Sequence, residues 1–187
     1  IMYKKFYWYR SGVTRTMRNA LNDIYKSSLK YIKLRKNDVV LDIGANDGTL
    51  LKYYNKNIKT IGCEPAKNLI SKLKKNCDYV LNDFWSYKKL NNILIKKKLG
   101  KPKIIMAIGM FYDLENPNKF IRDSALALDE KGIFIAQLMC LKSMIDKNDI
   151  GNICHEHIEF YSLQSLKYLF ENNGLEIFKM EENDING

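Results

Sequence analysis

His155 and His157 are the only histidines in the chain, and they stand in one tripeptide around Glu156. A neutral imidazole, with an ordinary pKa near ~6.5, is the natural proton acceptor at neutral pH. A neighbouring carboxylate can orient it or raise its basicity. Tyr161 adds a phenol four residues further on. The segment C-H-E-H-I-E-F-Y therefore reads first as a general acid/base cluster. A metal site is a second reading, because His-x-His chelates. The residue four after His155 is Glu159, so this is not the H-E-x-x-H zinc motif, and no metal is expected. A polar turn with satisfied imidazoles is the third reading.

A second constellation lies upstream, in V-V-L-D-I-G-A-N-D-G-T from Val39 to Thr49. A buried strand would deliver Asp42 at its carboxyl end. Gly44 and Gly48 would let the backbone turn tightly and approach a ligand closely. A helix starting near Thr49 would offer free N–H groups to that ligand. Ligands of open α/β sheets sit in this crevice, beyond the strand carboxyl ends. Glu64, twenty residues past Gly44, can accept hydrogen bonds from both hydroxyls of a ribose. Asp83 and Phe84 together can clamp an adenine, the carboxylate on its exocyclic amine and the ring on its face. A dinucleotide site uses the same architecture, but its G-x-G-x-x-G fingerprint is not met by G-A-N-D-G. The missing third glycine and the acid Asp47 suit a cationic ligand better than a pyrophosphate. S-adenosylmethionine, with its sulfonium and ammonium, is the expected cofactor.

Elements of alternating type must position these groups. Helices are predicted over 14–32, 49–54, 66–75, 86–99, 117–128 and 162–172. Strands are predicted over 39–43, 59–63, 79–81, 104–108, 132–138 and 175–180. Residues 142–159 read as a polar stretch without regular structure. Strand and helix in alternation imply a mainly parallel sheet with right-handed crossovers and helices on both faces. The organisation expected is an N-terminal helical lid or segment over 1–35, a cofactor-binding domain over 36–140, and a histidine-bearing segment over 141–187.

Composition bounds the rest. The chain has 187 residues, 46% hydrophobic and 28% charged, which suits one folded domain. No apolar run approaches the roughly 20 residues of a spanning helix, and the aromatic, basic opening lacks a signal-peptide core. Four cysteines without a C-x-x-C pair fit free thiols in a cytoplasmic protein. The net charge of +10 comes almost wholly from lysines that read as spread along the sequence, a solvated surface without interleaved aromatics. Neither a membrane nor a nucleic-acid partner is expected, and the oligomeric state is left open.

The linked motifs V-L-D-I-G-A-N-D-G-T-L-L, I-G-C-E-P-A, N-D-F-W, I-G-M-F-Y-D-L and N-I-C-H-E-H-I-E-F-Y, with the opening Y-W-Y-R-S-G-V, resemble bacterial class I methyltransferases of the nucleotide-sugar C-methyltransferase type. The resemblance spans nearly the whole chain. It implies a Rossmann-like class I methyltransferase fold and C-methylation of a keto-deoxy sugar carried on a nucleoside diphosphate. A base removes the proton alpha to the ketone, and the enolate carbon takes the methyl group. It further implies Asp42, Gly44, Asn46, Gly48, Glu64 and Asp83 as cofactor contacts, and Pro65, Phe84 and Gly109 are expected beside them. Tyr9 and Arg10 would close over the cofactor or substrate. His157 would be the base, supported by Glu156, His155 and Tyr161. Cys154 stands where the sugar enzymes carry Tyr. A zinc module precedes the equivalent region in that family and a second α/β domain follows it, so the resemblance is to a central domain. The alternatives are an O- or N-methyltransferase on another small molecule, then a nucleic-acid methyltransferase or a non-catalytic cofactor-binding module. The N/D-P-P-Y/F segment common in base methylation is replaced here by G-M-F-Y-D-L.

Overall fold

The computed structural model describes residues 6–183, a span that includes every candidate site residue; the first five residues of the basic opening lie outside it. Helix α1 (Arg15–Tyr31) starts where the Thr14 side chain accepts a hydrogen bond from the Met17 N–H. Strand β1 (Val39–Ile43) is buried along its length, as a central strand covered on both faces must be; Asp42 is its one polar residue. After it come β2 (Lys59–Cys63), α2 (Ile70–Asn76), β3 (Tyr79–Leu81), α3 (Tyr87–Lys97) and β4 (Pro102–Ile108). Helix α4 (Pro117–Ala127) begins on an Asn116 cap with proline in its first turn, where a missing N–H costs nothing. Then follow β5 (Ile133–Gln137), α5 (Leu141–Asp146) and α6 (Leu163–Glu171), the last opened by a reciprocal Ser162–Ser165 capping box.

The five strands pair in the order β3-β2-β1-β4-β5, every neighbouring pair parallel. Alternation along β1 divides the core. Val39, Leu41 and Ile43 face Leu90 and Leu94 of α3, Phe120 and Ile121 of α4, and Phe170 of α6. Val40 joins Ile104 and Met106 under Leu21 of α1 and Leu73 of α2. Helices therefore cover both faces, and the order reverses at β1, so the crevice opens between the carboxyl ends of β1 and β4.

Four segments differ from expectation. Over 49–54 there is only a short 3-10 turn, Leu51–Tyr53, because Asn55 and Asn57 fold into a turn that leads at once into β2. Helix α2 begins at Ile70, not at 66, after turns over 67–69. The polar stretch opens inside a short helix, α5, five of whose six residues fall within 142–159. Residues 175–180 form no ladder. Leu175 and Ile177 pack on the core, but Phe178 meets Tyr31 of α1 with ring centroids 5.3 Å apart. A period of two reports which side chains are buried, not which backbone supplies hydrogen bonds.

Candidate functional site

The loop after β1 is made by left-handed residues: Gly44 (φ 74°), Asn46 (φ 52°) and Gly48 (φ 79°). The N–H groups of Gly44 and Ala45 both donate to the Cys63 carbonyl, at 2.9 and 3.0 Å, and fasten the loop to the end of β2. A Cβ at Gly48 would lie 2.8 Å from Cβ of Asn76 and 2.9 Å from Cδ1 of Leu73, so close packing against α2 demands glycine as much as the dihedral does.

Glu64, 5% exposed, stands at the end of β2 and braces this loop. Its Oε2 accepts from the Asn46 N–H at 2.9 Å and its Oε1 from the Ala66 N–H at 2.8 Å. Each oxygen keeps a second acceptor site for a ligand hydroxyl. Burial raises its pKa, and the two backbone hydrogen bonds oppose that rise. Asp42, buried on β1, is raised well above its ordinary value by desolvation and then by the charge of Glu64. Two carboxylates, each disfavoured when ionised, thus lie at the carboxyl ends of adjacent strands. A cation delivered there relieves both.

An N-terminal strap crosses this loop. Asn46 Oδ1 accepts from the Ser11 N–H at 3.1 Å, and Asn46 Nδ2 donates to the Tyr9 carbonyl at 3.1 Å. Asp47 Oδ2 accepts from the Gly12 N–H, while its Oδ1 takes the Thr49 N–H and hydroxyl. Asn68 exchanges two hydrogen bonds with the Tyr7 backbone, both 3.0 Å. The acid Asp47 is therefore occupied in holding the strap and the turn; its side chain is not an open anionic lining of the loop. Tyr9 and Arg10 ride on the strap with their side chains exposed.

Beyond β3, Asp83 accepts from the Phe84 N–H and pairs with Lys89 at 2.7 Å, while the Phe84 ring is 42% exposed. The Pro65 carbonyl accepts from Asn82 Nδ2. Gly109 (φ 64°) follows β4, and its carbonyl accepts from the Tyr112 hydroxyl at 3.0 Å.

The histidine segment reaches the same end of the sheet through Tyr112. The Tyr112 carbonyl accepts from the N–H groups of Ile158 and Glu159, and its ring packs edge-on against His157 with centroids 4.4 Å apart. His157 Nδ1 is 2.8 Å from the Asn152 carbonyl oxygen. A carbonyl only accepts, so Nδ1 carries the proton and the neutral ring's Nε2 keeps its lone pair. His155 points outward, its side chain 80% exposed and 4.0 Å from Glu156. Tyr161 packs on Phe111 in the core, and its buried hydroxyl has no hydrogen-bond partner among the described residues. Burial, then Glu159, raises that phenol.

Several contributors carried no local signal. The half-buried Tyr7 phenol is raised by burial and then by Asp113, Glu156 and Glu64, which puts strap, Asp113 turn, histidine segment and β2 end around one place. Asn68 and Asn152 are ordinary loop asparagines in sequence. Tyr112 and Asp113 lay within I-G-M-F-Y-D-L, but their use depends on residues 152–159 folding back. No group of three His, Cys, Asp or Glu among the described residues is placed to hold a metal ion. The four cysteines are free.

A family model described as a methyltransferase domain matches residues 13–179. The C-methyltransferase NovU of Streptomyces niveus is 23% identical over 157 residues, which is 83% of this chain and 37% of that protein. The chain thus spans well under half of that relative's length. Among solved structures, magnesium protoporphyrin IX methyltransferase from Synechocystis PCC 6803, solved with bound S-adenosylhomocysteine, aligns with a TM-score of 0.65 at 11% identity, covering 93% of this chain and 83% of that one. The cyclopropane synthase MmaA2 from Mycobacterium tuberculosis aligns with a TM-score of 0.63 at 15% identity, covering 92% and 67%. The fold is the Rossmann-like class I methyltransferase fold.

Proposed function

The chain belongs to the methyltransferase-domain family, and from that premise we propose that it performs S-adenosylmethionine-dependent C-methylation of a nucleotide-linked keto-deoxy sugar through a base-generated enolate. The chemistry the cofactor supplies when bound is an electrophilic methyl group. The residues present fit such a group. Glu64 offers two oriented acceptors to a ribose diol, and Asp42 with Glu64 favours a positive charge nearby. The bare backbone of Gly44, Gly48 and Gly109 permits close approach, with Asn46 and Pro65 framing the loop. The exposed Phe84 ring with Asp83 suits an adenine. Tyr9 and Arg10, on the strap, close over the methionine end or the substrate.

The observation that carries the reaction is the anchoring of His157 through Nδ1 on the Asn152 carbonyl. That bond selects the tautomer whose Nε2 can take a proton, and Tyr112 holds the ring at the carboxyl end of the sheet. Nε2 removes the proton alpha to the sugar ketone and leaves a carbon nucleophile. Glu156 supports the developing imidazolium, His155 acts only through its 4.0 Å approach to Glu156, and Tyr161 braces the segment from the core. In this assignment residues 36–140 hold the cofactor, 141–187 carry the base, and 1–35 form the covering segment of a cytoplasmic enzyme.

The test is incubation of the chain with a nucleotide-linked keto-deoxy sugar and methyl-labelled cofactor, read by mass spectrometry and carbon NMR. The label is expected on the carbon alpha to the ketone, with solvent deuterium entering that position only while His157 is present. Label on oxygen or nitrogen would instead establish an O- or N-methyltransferase and remove the enolate step.

A further inference from the structure

All five strands are parallel, so their amino ends share one edge of the sheet with the segments that lead into them. Those segments are 30–38, 54–59, 73–78, 94–103 and 125–132. They contain fourteen Lys and Arg against four Asp and Glu, an excess of ten that equals the net charge of the entire chain. Lysines that read as dispersed along the sequence are gathered by the fold at one end. The opposite edge carries Asp42, Asp47, Glu64, Asp83, Asp113 and Glu156, so the molecule is electrically polarised along the strand direction.

Helix-end electrostatics accounts for the lysines in the last turns of α2 and α3. It does not account for Lys56 and Lys59, which follow only a 3-10 turn. Thirteen of the fourteen cations are lysines, with Arg35 the exception. An ammonium is a hydrated point charge without the planar fork that reads base edges, and no run of exposed rings among the described residues of this edge offers a stacking platform. Apolar side chains stand exposed among the lysines instead: Tyr31 at the end of α1, Ile95 (69% exposed) at the end of α3, and Leu126 at the end of α4. Diffuse positive charge with scattered apolar tips matches a surface of anionic headgroups above acyl chains.

We propose that the amino edge of the sheet docks on an anionic lipid surface, leaving the candidate site at the opposite edge open to the aqueous phase. No helix among the described residues is long and apolar enough to cross a membrane, so the contact is peripheral. Its strength comes from many weak, screened terms.

The experiment is co-sedimentation of the full chain with phosphatidylcholine vesicles, with and without phosphatidylglycerol. Binding is expected only where phosphatidylglycerol is present, with release by ~0.5 M salt. Lys74→Glu with Lys96→Glu should weaken it at least about tenfold. Lys67→Glu with Lys147→Glu makes the same charge change at the carboxyl edge and should leave binding within about twofold. Ile95→Asn should weaken it without any change of charge. Should the first pair melt early by circular dichroism, Lys36→Glu with Lys101→Glu serves in its place. Equal loss from pairs at both edges would reduce the effect to net charge and overturn the proposal. Absence of vesicle binding would overturn it too, as would retention by single-stranded RNA alone. None of these outcomes depends on the methyl-transfer assignment.

Discussion

Replacing Asn46 by Ala tests whether the strap is held by one side chain. Asn46 is 6% exposed and joins three backbone groups: the Ser11 N–H at 3.1 Å, the Asp47 N–H at 2.8 Å and the Tyr9 carbonyl at 3.1 Å. Each such bond contributes ~1 kcal/mol net, somewhat less where the strap can turn to water. Asn46 is also left-handed, at φ 52°, where alanine is strained by roughly 1 kcal/mol more than asparagine. The expected loss is about 2–4 kcal/mol, a fall in Tm of roughly 5–15 °C for a chain of this size. Asn46→Gly loses the same bonds without the strain and should melt between Asn46→Ala and the parent. Hydrogen exchange should show residues 7–13 losing protection in both variants while β1 and β4 keep theirs. An Asn46→Ala chain that melts within ~2 °C of the parent, with strap amides still protected, would refute the reasoning.

Three further outcomes are expected. Gly48→Ala should cost about 2–5 kcal/mol, because strain at φ 79° adds to a collision with Leu73 and Asn76. Gly44→Ala meets only the movable Met110 side chain and should cost ~1–2 kcal/mol, the comparison being read from urea midpoints at constant m. Asp42→Asn should alter the pH dependence of stability. A buried acid whose folded pKa lies above its unfolded value binds more protons folded than unfolded, so stability falls as pH rises from the ordinary 3.8 up through the folded pKa. The variant should lose that decline in melts taken from acidic to neutral pH, and parallel curves would reject the assignment. Phe84→Ala removes a ring that is 42% exposed, so Tm should hold within ~1 °C while S-adenosylhomocysteine affinity, by calorimetry, falls roughly 5- to 100-fold; unchanged affinity removes Phe84 from the adenine site.

The parallel α/β architecture was legible in the order of residues alone. Buried strand segments such as Ile104–Ile108 are apolar without interruption, and helices such as Pro117–Ala127 announce their starts with Asn116 and proline. That order also located the Gly44–Gly48 turn and Glu64, because left-handed backbone and a carboxylate at a strand end are local requirements. What the polar groups do was set only once the chain closed. Asp47 reads as a ligand-facing acid, yet it caps Thr49 and holds Gly12, thirty-five residues away. Residue type and spacing do not separate His155 from His157, but only His157 has its tautomer set by a carbonyl. The pattern at 175–180 showed a buried side without a hydrogen-bonding neighbour. The lysines gather at one edge because parallel strands bring every entry segment to the same end. Local propensity and periodicity act over a few residues, whereas hydrogen-bond partners and surface fields depend on which distant segments the fold makes adjacent.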